Sequence, residues 1–105
     1  MTFAVEWTVQ ARADLVRLHG HLVQRVTAVG ELDLADRAAS EIEAAAKSHL
    51  ARTPYIFRKA WRSPLWRELI IPFGGCGHVA LYEIKPARKL VLVHAVRHQM
   101  EADYH

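Results

Sequence analysis

The chain begins with a short alternation of apolar and polar residues that predicts a β-strand. Phe3, Val5 and Trp7 are separated by a small and an acidic residue, which is the period-two pattern of a strand with one buried face. Thr8 follows, and its hydroxyl can accept a hydrogen bond from the first turn of a helix. The sequence therefore predicts a strand that leads directly into a capped helix.

Two helical patterns come next. Apolar residues recur at steps of three and four along one face of the first helix, at Ala11, Leu15, Leu18 and Leu22. Asp14 falls outside this stripe. Gly30 predicts a left-handed stop, and Asp33 predicts the N-cap of a second helix. That helix has an alanine-rich stripe formed by Ala35, Ala38, Ala39, Ile42, Ala45, Ala46 and Leu50. Because the connection is short, we expect an antiparallel helical hairpin that ends near Pro54 and lies on a sheet.

After Pro54 the helical spacing gives way to runs that are typical of strands. These runs cover residues 66–73, 78–84 and 89–96, with turn-forming residues at 74–77 and 85–88 between them. Strands joined by such short turns lie antiparallel, and the N-terminal strand completes the sheet through a longer connection. Pro72 has no N–H group for the ladder, so we expect it at a strand end or a sheet edge.

The elements predict one α+β domain over residues 1–105, in the order β-α-α-β-β-β, with the helical hairpin packed on an antiparallel sheet. A chain of 105 residues fits one small domain. No run approaches the roughly 20 apolar residues that span a bilayer, and no signal sequence is apparent, so we expect a soluble cytoplasmic protein. The one cysteine, Cys76, cannot form an internal disulfide, which suits a reducing compartment.

The formal net charge of +3 is too small to indicate a nucleic-acid partner by itself. The distribution of charge is more informative, because acids gather in the helical part and cations gather after it. The cations are Arg52, Arg58, Lys59, Arg62 and Arg67. This stretch favours an anionic partner, either phosphate or an acidic protein surface. A solvated loop that keeps the domain soluble explains the charges equally well.

The last third of the chain carries the most specific pattern. Its parts are the strand arginine Arg67, the run His78-Val79-Ala80-Leu81-Tyr82 and the ending Arg97-His98-Gln99. Together with the N-terminal strand, the helical hairpin and the proline at its exit, this order resembles the RelE/ParE superfamily of bacterial toxins. The resemblance covers most of the chain. It implies a toxin that is inactivated by a cognate antitoxin protein, with which it forms a hetero-oligomer.

The resemblance leaves two targets open. RelE-type relatives cleave messenger RNA on the ribosome without a metal, and ParE-type relatives inhibit DNA gyrase. Metal-free cleavage needs an acid, a base and cations around the phosphate, and the nuclease branch would give these roles to Arg67, Arg97 and His98. Nuclease-like relatives have an arginine where this chain has Val79. The missing cation favours the ParE-like inhibitor, an endoribonuclease is the alternative, and an inactive or repurposed interaction domain is the third hypothesis.

For the favoured hypothesis the resemblance and the charge pattern suggest which residues bind. We expect the target-binding residues to be Arg58, Lys59, Arg62, Arg97 and His98. The expected antitoxin-binding residues are Trp61, Leu65 and Phe73, because an aromatic residue flanked by cations suits protein recognition. Alternatively, His98 makes a hydrogen bond that joins the end of the sheet to the helices.

Seven histidines raise the question of a metal site, but their spacing does not favour one. His19 and His21 point to different faces of a helix, and the chain has neither a His-Glu-x-x-His motif nor paired cysteines. The serines lie in no nucleophile elbow, and the glycine turn lacks the lysine of a phosphate-binding loop. We therefore expect neither a metal nor a cofactor.

Overall fold

A computed structural model describes residues 2–24, 29–60, 62–73 and 76–98. Within these ranges the chain forms two α-helices and five β-strands. Strand β1 spans Ala4–Trp7, helix α1 spans Val9–Gln24 and helix α2 spans Val29–Arg52. The remaining strands are β2 Arg58–Lys59, β3 Trp66–Phe73, β4 Cys76–Lys85 and β5 Leu90–His98. A short 3₁₀ helix, Pro86–Arg88, joins β4 to β5.

The strands form one mixed sheet in the order β1-β5-β4-β3-β2. Strands β2 to β5 pair antiparallel with their neighbours, whereas β1 runs parallel to β5, with Ala4 opposite Leu90. The α+β class and the order of the main elements are confirmed. The expectation of a wholly antiparallel sheet is corrected at β1, because the antiparallel rule holds only for strands joined by tight turns and β1 precedes the helical hairpin. The two-residue strand β2 is also additional.

The helix boundaries agree with the sequence at two points and differ at one. The Ala11 N–H donates to the Thr8 hydroxyl oxygen at 3.0 Å, which confirms the predicted cap. Pro54 follows the end of α2, as expected. However, Gly30 and Asp33 lie inside α2 rather than at its boundary. A glycine in a helix costs only about 1 kcal/mol relative to alanine, and tertiary context commonly overrides a preference of this size.

The main core lies between the helical hairpin and one face of the sheet. The predicted stripes are confirmed where the side chains are described, since Leu15, Leu18, Ile42 and Leu50 are all buried. The sheet contributes Leu69, Ile71, Ala80, Tyr82, Ile84, Val91, Val93 and Val96. The β1 residues Phe3, Val5 and Trp7 pack against the same cluster. The sequence pattern therefore predicted which face of β1 and of each helix is buried.

Where β1 ends, groups at the start of α1 continue along the edge of β5. The Thr8 N–H donates to the Val93 carbonyl at 3.0 Å, and the Thr8 hydroxyl donates to the His94 carbonyl at 3.3 Å. Further along, the Val96 N–H donates to Oδ2 of Asp14 at 2.9 Å. Thr8 and Asp14 thus bond to the backbone of β5 beyond the end of β1.

A smaller apolar cluster lies apart from the main core and consists of Ala60, Leu81 and Ala95, with Trp66 packed against it.

Strand β3 pairs with the short strand β2 only at Arg67 and Glu68. Pro72 therefore lies on a part of β3 that pairs only with β4, which confirms its predicted edge position. None of the described helices is long and apolar enough to cross a membrane.

Candidate functional site

The strand arginine Arg67 is buried and hydrogen-bonded to backbone carbonyl groups. Its Nε donates to the Pro64 carbonyl at 2.8 Å, and its Nη1 donates to the carbonyls of Tyr55 and Phe57 at 2.7 and 2.9 Å. Only 8% of the residue is exposed. Residues 54–57, here called the tip loop, connect α2 to β2, so Arg67 fixes this loop from β3.

Tyr82 holds the same loop from β4. Its hydroxyl donates to the Pro54 carbonyl at 2.5 Å, and its side chain is fully buried. Burial raises the pKa of the Tyr82 phenol well above its usual value, and the neighbouring Arg67 cation only partly opposes this rise. The phenol therefore stays protonated at neutral pH and acts as a hydrogen-bond donor.

The cations that follow the tip loop lie in the hairpin of β2 and β3. Arg58 is opposite Glu68 and bonds to its Oε1 through Nη2 at 2.8 Å and through Nε at 3.0 Å. Lys59 and Arg62 are exposed, and no carboxylate of the described part of the chain forms an ion pair with either. We call Arg58, Lys59 and Arg62 the cationic corner.

At the other end of the sheet, Arg97 is joined to helix α1. Its Nη1 lies 2.5 Å from Oδ2 of Asp14 and also donates to the Val96 carbonyl at 3.0 Å. Asp14 is 2% exposed and accepts two further hydrogen bonds, from the Gln10 amide at 3.0 Å and from the Val96 N–H. Arg97 is therefore part of a buried polar network that attaches α1 to β5.

The expectation that Asp14 lies outside the buried stripe is corrected by this network. Asp14 borders the stripe next to Leu15, on the side of α1 that faces β5. The donors that make its burial favourable come from Val96 and Arg97, which are distant in sequence. Periodicity of apolar residues gives no signal for a buried carboxylate of this kind.

His98 lies opposite His78 of β4, and the two rings meet edge to face with centroids 5.4 Å apart. His98 is partly exposed, whereas His78 is buried. Among the residues described, no group of three or more His, Cys, Asp or Glu side chains is placed to hold a metal ion.

A further cluster was not anticipated from the sequence. The His94 ring stacks on Trp66 with centroids 4.5 Å apart, and its Nε2 lies 3.0 Å from Oε1 of Glu83. The register between β4 and β5 shifts here, so that Ala95 and Val93 have partners and His94 is the extra residue of a β-bulge. Nothing in the sequence pattern indicates where a bulge inserts its residue.

The chain matches a known protein family over nearly its whole length. The model of the family described as "ParE toxin of type II toxin-antitoxin system, parDE" matches residues 5–103. This chain belongs to the ParE toxin family. It is thus a toxin of a type II toxin–antitoxin system, with the fold shared by ParE and RelE toxins. No curated protein matches the sequence significantly.

Solved structures share the fold of this ParE-family toxin. The chromosomal ParDE system of P. aeruginosa superimposes with a TM-score of 0.70 at 19% identity, covering 91% of this chain and 95% of that chain. The RelBE2 toxin–antitoxin complex of Mycobacterium tuberculosis gives a TM-score of 0.65 at 19% identity, covering 96% and 95%. A mutant of the E. coli toxin RelE in the free state gives 0.62 at 12% identity, covering 91% and 82%.

The five residues expected to bind the target do not form one patch in the ParE-family toxin. Lys59 lies in the same row across the sheet as Val93, and Arg97 lies further along β5. With about 4.8 Å between strands and about 3.3 Å per residue, Lys59 and Arg97 are about 20 Å apart along the sheet. The cationic corner and the Arg97-His98 end of β5 are therefore separate surfaces.

The expected antitoxin-binding residues are only partly visible in the ParE-family toxin. Trp61 lies outside the described residues, as does the side chain of Phe73. Leu65 is partly buried and packs against the main core. Its carbonyl accepts a hydrogen bond from the Ile84 N–H at 2.7 Å. Leu65 thus helps to position the β2–β3 hairpin, and its contact with an antitoxin stays a prediction.

Proposed function

We propose that this ParE-family toxin inhibits growth in the cytoplasm by binding DNA gyrase, and that its cognate antitoxin prevents this. The observation that carries the proposal is the position of Arg67. The nuclease alternative would use this arginine to hold charge on a phosphate. Its guanidinium group is instead buried against three carbonyl oxygens. Binding a phosphate there would require breaking bonds that hold the tip loop.

Two further positions support inhibition by binding rather than RNA cleavage. Val79 is apolar and buried where nuclease-like relatives carry an arginine. Tyr82 is fully buried and its hydroxyl proton is already donated to the Pro54 carbonyl, so the phenol is not accessible to a substrate. Neither residue supplies the acid, base or cation that cleavage of a ribose phosphate needs.

The cationic corner is the surface that we assign to gyrase. Lys59 and Arg62 are exposed on the hairpin of β2 and β3, in which Lys59 pairs with Arg67 of the neighbouring strand. Exposed cations on a fixed support favour an acidic protein surface and accelerate association with it. Arg97 and His98 form a second, separate contact in this proposal, and Trp61, Leu65 and Phe73 contact the antitoxin.

The test uses the purified toxin, freed of its antitoxin, in two assays. We expect inhibition of gyrase supercoiling and no cleavage of messenger RNA on translating ribosomes. Replacing Lys59 and Arg62 together by alanine should weaken inhibition at least about thirtyfold, as at a binding hot spot. Lys47→Ala on the exposed face of α2 is the matched control and should leave inhibition unchanged.

Two results would replace the proposal. Codon-phased cuts in ribosome-bound messages that disappear in His98→Ala, with gyrase unaffected, would establish the ribosome-dependent endoribonuclease. Folded, antitoxin-free protein that is inactive in both assays would be an inactive or repurposed interaction domain.

A further inference from the structure

The tip loop exposes two neighbouring apolar side chains. Tyr55 is 45% exposed and Ile56 is 71% exposed. They lie in the loop between the end of α2 and the start of β2. Scattered apolar residues are common on surfaces, and two adjacent ones are informative only if something holds them in position.

Hydrogen bonds fix the backbone of this loop on both sides of Ile56. The Tyr55 and Phe57 carbonyls accept from Arg67, and the Pro54 carbonyl accepts from Tyr82. Ile56 lies between these hydrogen-bonded carbonyl groups, and its side chain is exposed to solvent.

The Tyr55 ring is supported on two sides while much of it stays accessible. Phe3 meets it edge to face with centroids 6.1 Å apart, and the Arg67 guanidinium carbon lies 5.7 Å from its centroid. A side chain already held in one place loses little conformational entropy on binding. The loop is therefore an ordered apolar projection.

Cations flank the loop on both sides along the chain. Arg52 ends α2 before it, and Arg58 and Lys59 follow it directly, all three exposed. Among the described neighbours Glu68 pairs with Arg58, and no acid pairs with Arg52 or Lys59. An apolar centre with a cationic rim is typical of a surface that binds an acidic protein.

The structure assigns Tyr55 and Ile56 as the apolar centre of the surface that binds the toxin's target protein, through an acidic segment that carries at least one apolar side chain. This inference rests on the proposed function in taking the target to be a protein. The loop runs directly into Arg58 and Lys59 of the cationic corner, so the apolar and cationic residues are neighbours along the chain. Nucleic acid fits this surface less well, because an exposed isoleucine makes no favourable contact with phosphate.

The experiment compares two exposed β-branched residues. Ile56→Asp should lower both gyrase inhibition and growth inhibition at least about thirtyfold, since it removes the apolar centre and repels an acidic partner. Val16→Asp is the matched control, because Val16 is 73% exposed on α1, and it should leave both activities unchanged. Ile56→Lys should weaken inhibition less than Ile56→Asp. Thermal unfolding and affinity for the antitoxin should be the same for all of these variants.

Several outcomes would overturn the inference. Full growth inhibition by Ile56→Asp would do so whatever the target is, and equal effects of Ile56→Asp and Ile56→Lys would exclude an acidic partner. Loss of antitoxin affinity with retained inhibition would assign the loop to the antitoxin instead. If the wild-type toxin stops growth without inhibiting gyrase, the gyrase proposal fails while the growth assay still decides the role of Ile56. A wild-type toxin that inhibits neither growth nor gyrase contradicts both.

Discussion

Arg67 and Tyr82 lie directly opposite each other on β3 and β4, and both donate hydrogen bonds to the same loop. A cross-strand pair at the middle of the sheet thus orders the segment between α2 and β2. The local sequence does not predict this function for either residue, because an arginine in a strand is usually interpreted as a surface cation. The pairing gives a direct test of how strongly the sheet holds the loop.

Tyr82→Phe should destabilise the fold by about 1–3 kcal/mol, because it leaves the buried Pro54 carbonyl without its hydrogen-bond donor. Urea unfolding measures the change. Tyr55→Phe removes a hydroxyl from a half-exposed ring and should change the free energy of unfolding by less than about 0.5 kcal/mol. If Tyr82→Phe changes the free energy of unfolding as little as Tyr55→Phe is expected to, the Tyr82 hydroxyl does not stabilise the fold.

Stability should also decline at alkaline pH because of Tyr82. Burial raises the pKa of its phenol in the folded protein, whereas the unfolded chain has the ordinary value of about 10. Its contribution is therefore fully present below about pH 10 and is lost as pH rises from there towards the raised folded value.

The measurement for this prediction is the free energy of unfolding between about pH 9 and pH 11 for wild type and Tyr82→Phe. The free energy of unfolding should fall more steeply with pH for wild type than for Tyr82→Phe. In the wild type the unfolded state releases the Tyr82 proton in this range, whereas the folded state retains it. Parallel curves would show that the Tyr82 pKa is the same in both states.

Asp14→Ala should destabilise the fold by about 3–5 kcal/mol, since it leaves the Val96 N–H and the Arg97 guanidinium without their buried acceptor. A matched comparison exists on the surface of the helical hairpin. Arg12 and Glu43 approach to 3.9 Å with both side chains largely exposed, and Arg12→Ala should change stability by less than about 1 kcal/mol.

Chemical unfolding of the two variants tests this difference, and similar small effects would contradict the structural role of Asp14. Arg97→Ala provides a second measure. If it destabilises the toxin as Asp14→Ala does, any accompanying loss of inhibition cannot be assigned to a lost contact with the target. Comparison at equal concentrations of folded protein separates the two causes.

The sequence predicted those features that depend on local spacing. The alternation from Phe3 to Trp7, the stripe through Leu15 and Leu18, and the cap at Thr8 all follow from period and side-chain chemistry. The family order of motifs predicted the fold and the toxin class. These inferences needed no knowledge of which elements are neighbours in space.

The features that were not predicted depend on contacts between distant parts of the chain. Asp14 is buried because Val96 and Arg97 supply donors from β5. Arg67 is turned towards carbonyl groups of the tip loop and not towards solvent. The stacking of His94 on Trp66 depends on a bulge in β5. In each case a polar side chain acquires its role from a partner on another element, which periodicity does not reveal.

The hydrogen bonds that Thr8 and Asp14 make to β5 also limit how this toxin can associate with other chains. A strand longer than its neighbour normally leaves backbone donors and acceptors that another strand can pair with, which promotes edge-to-edge aggregation. Here the carbonyls of Val93 and His94 and the N–H of Val96 are already bonded to Thr8 and Asp14. These groups of residues 93–96 are therefore protected from pairing with a strand of another chain, although none of the described strands covers them.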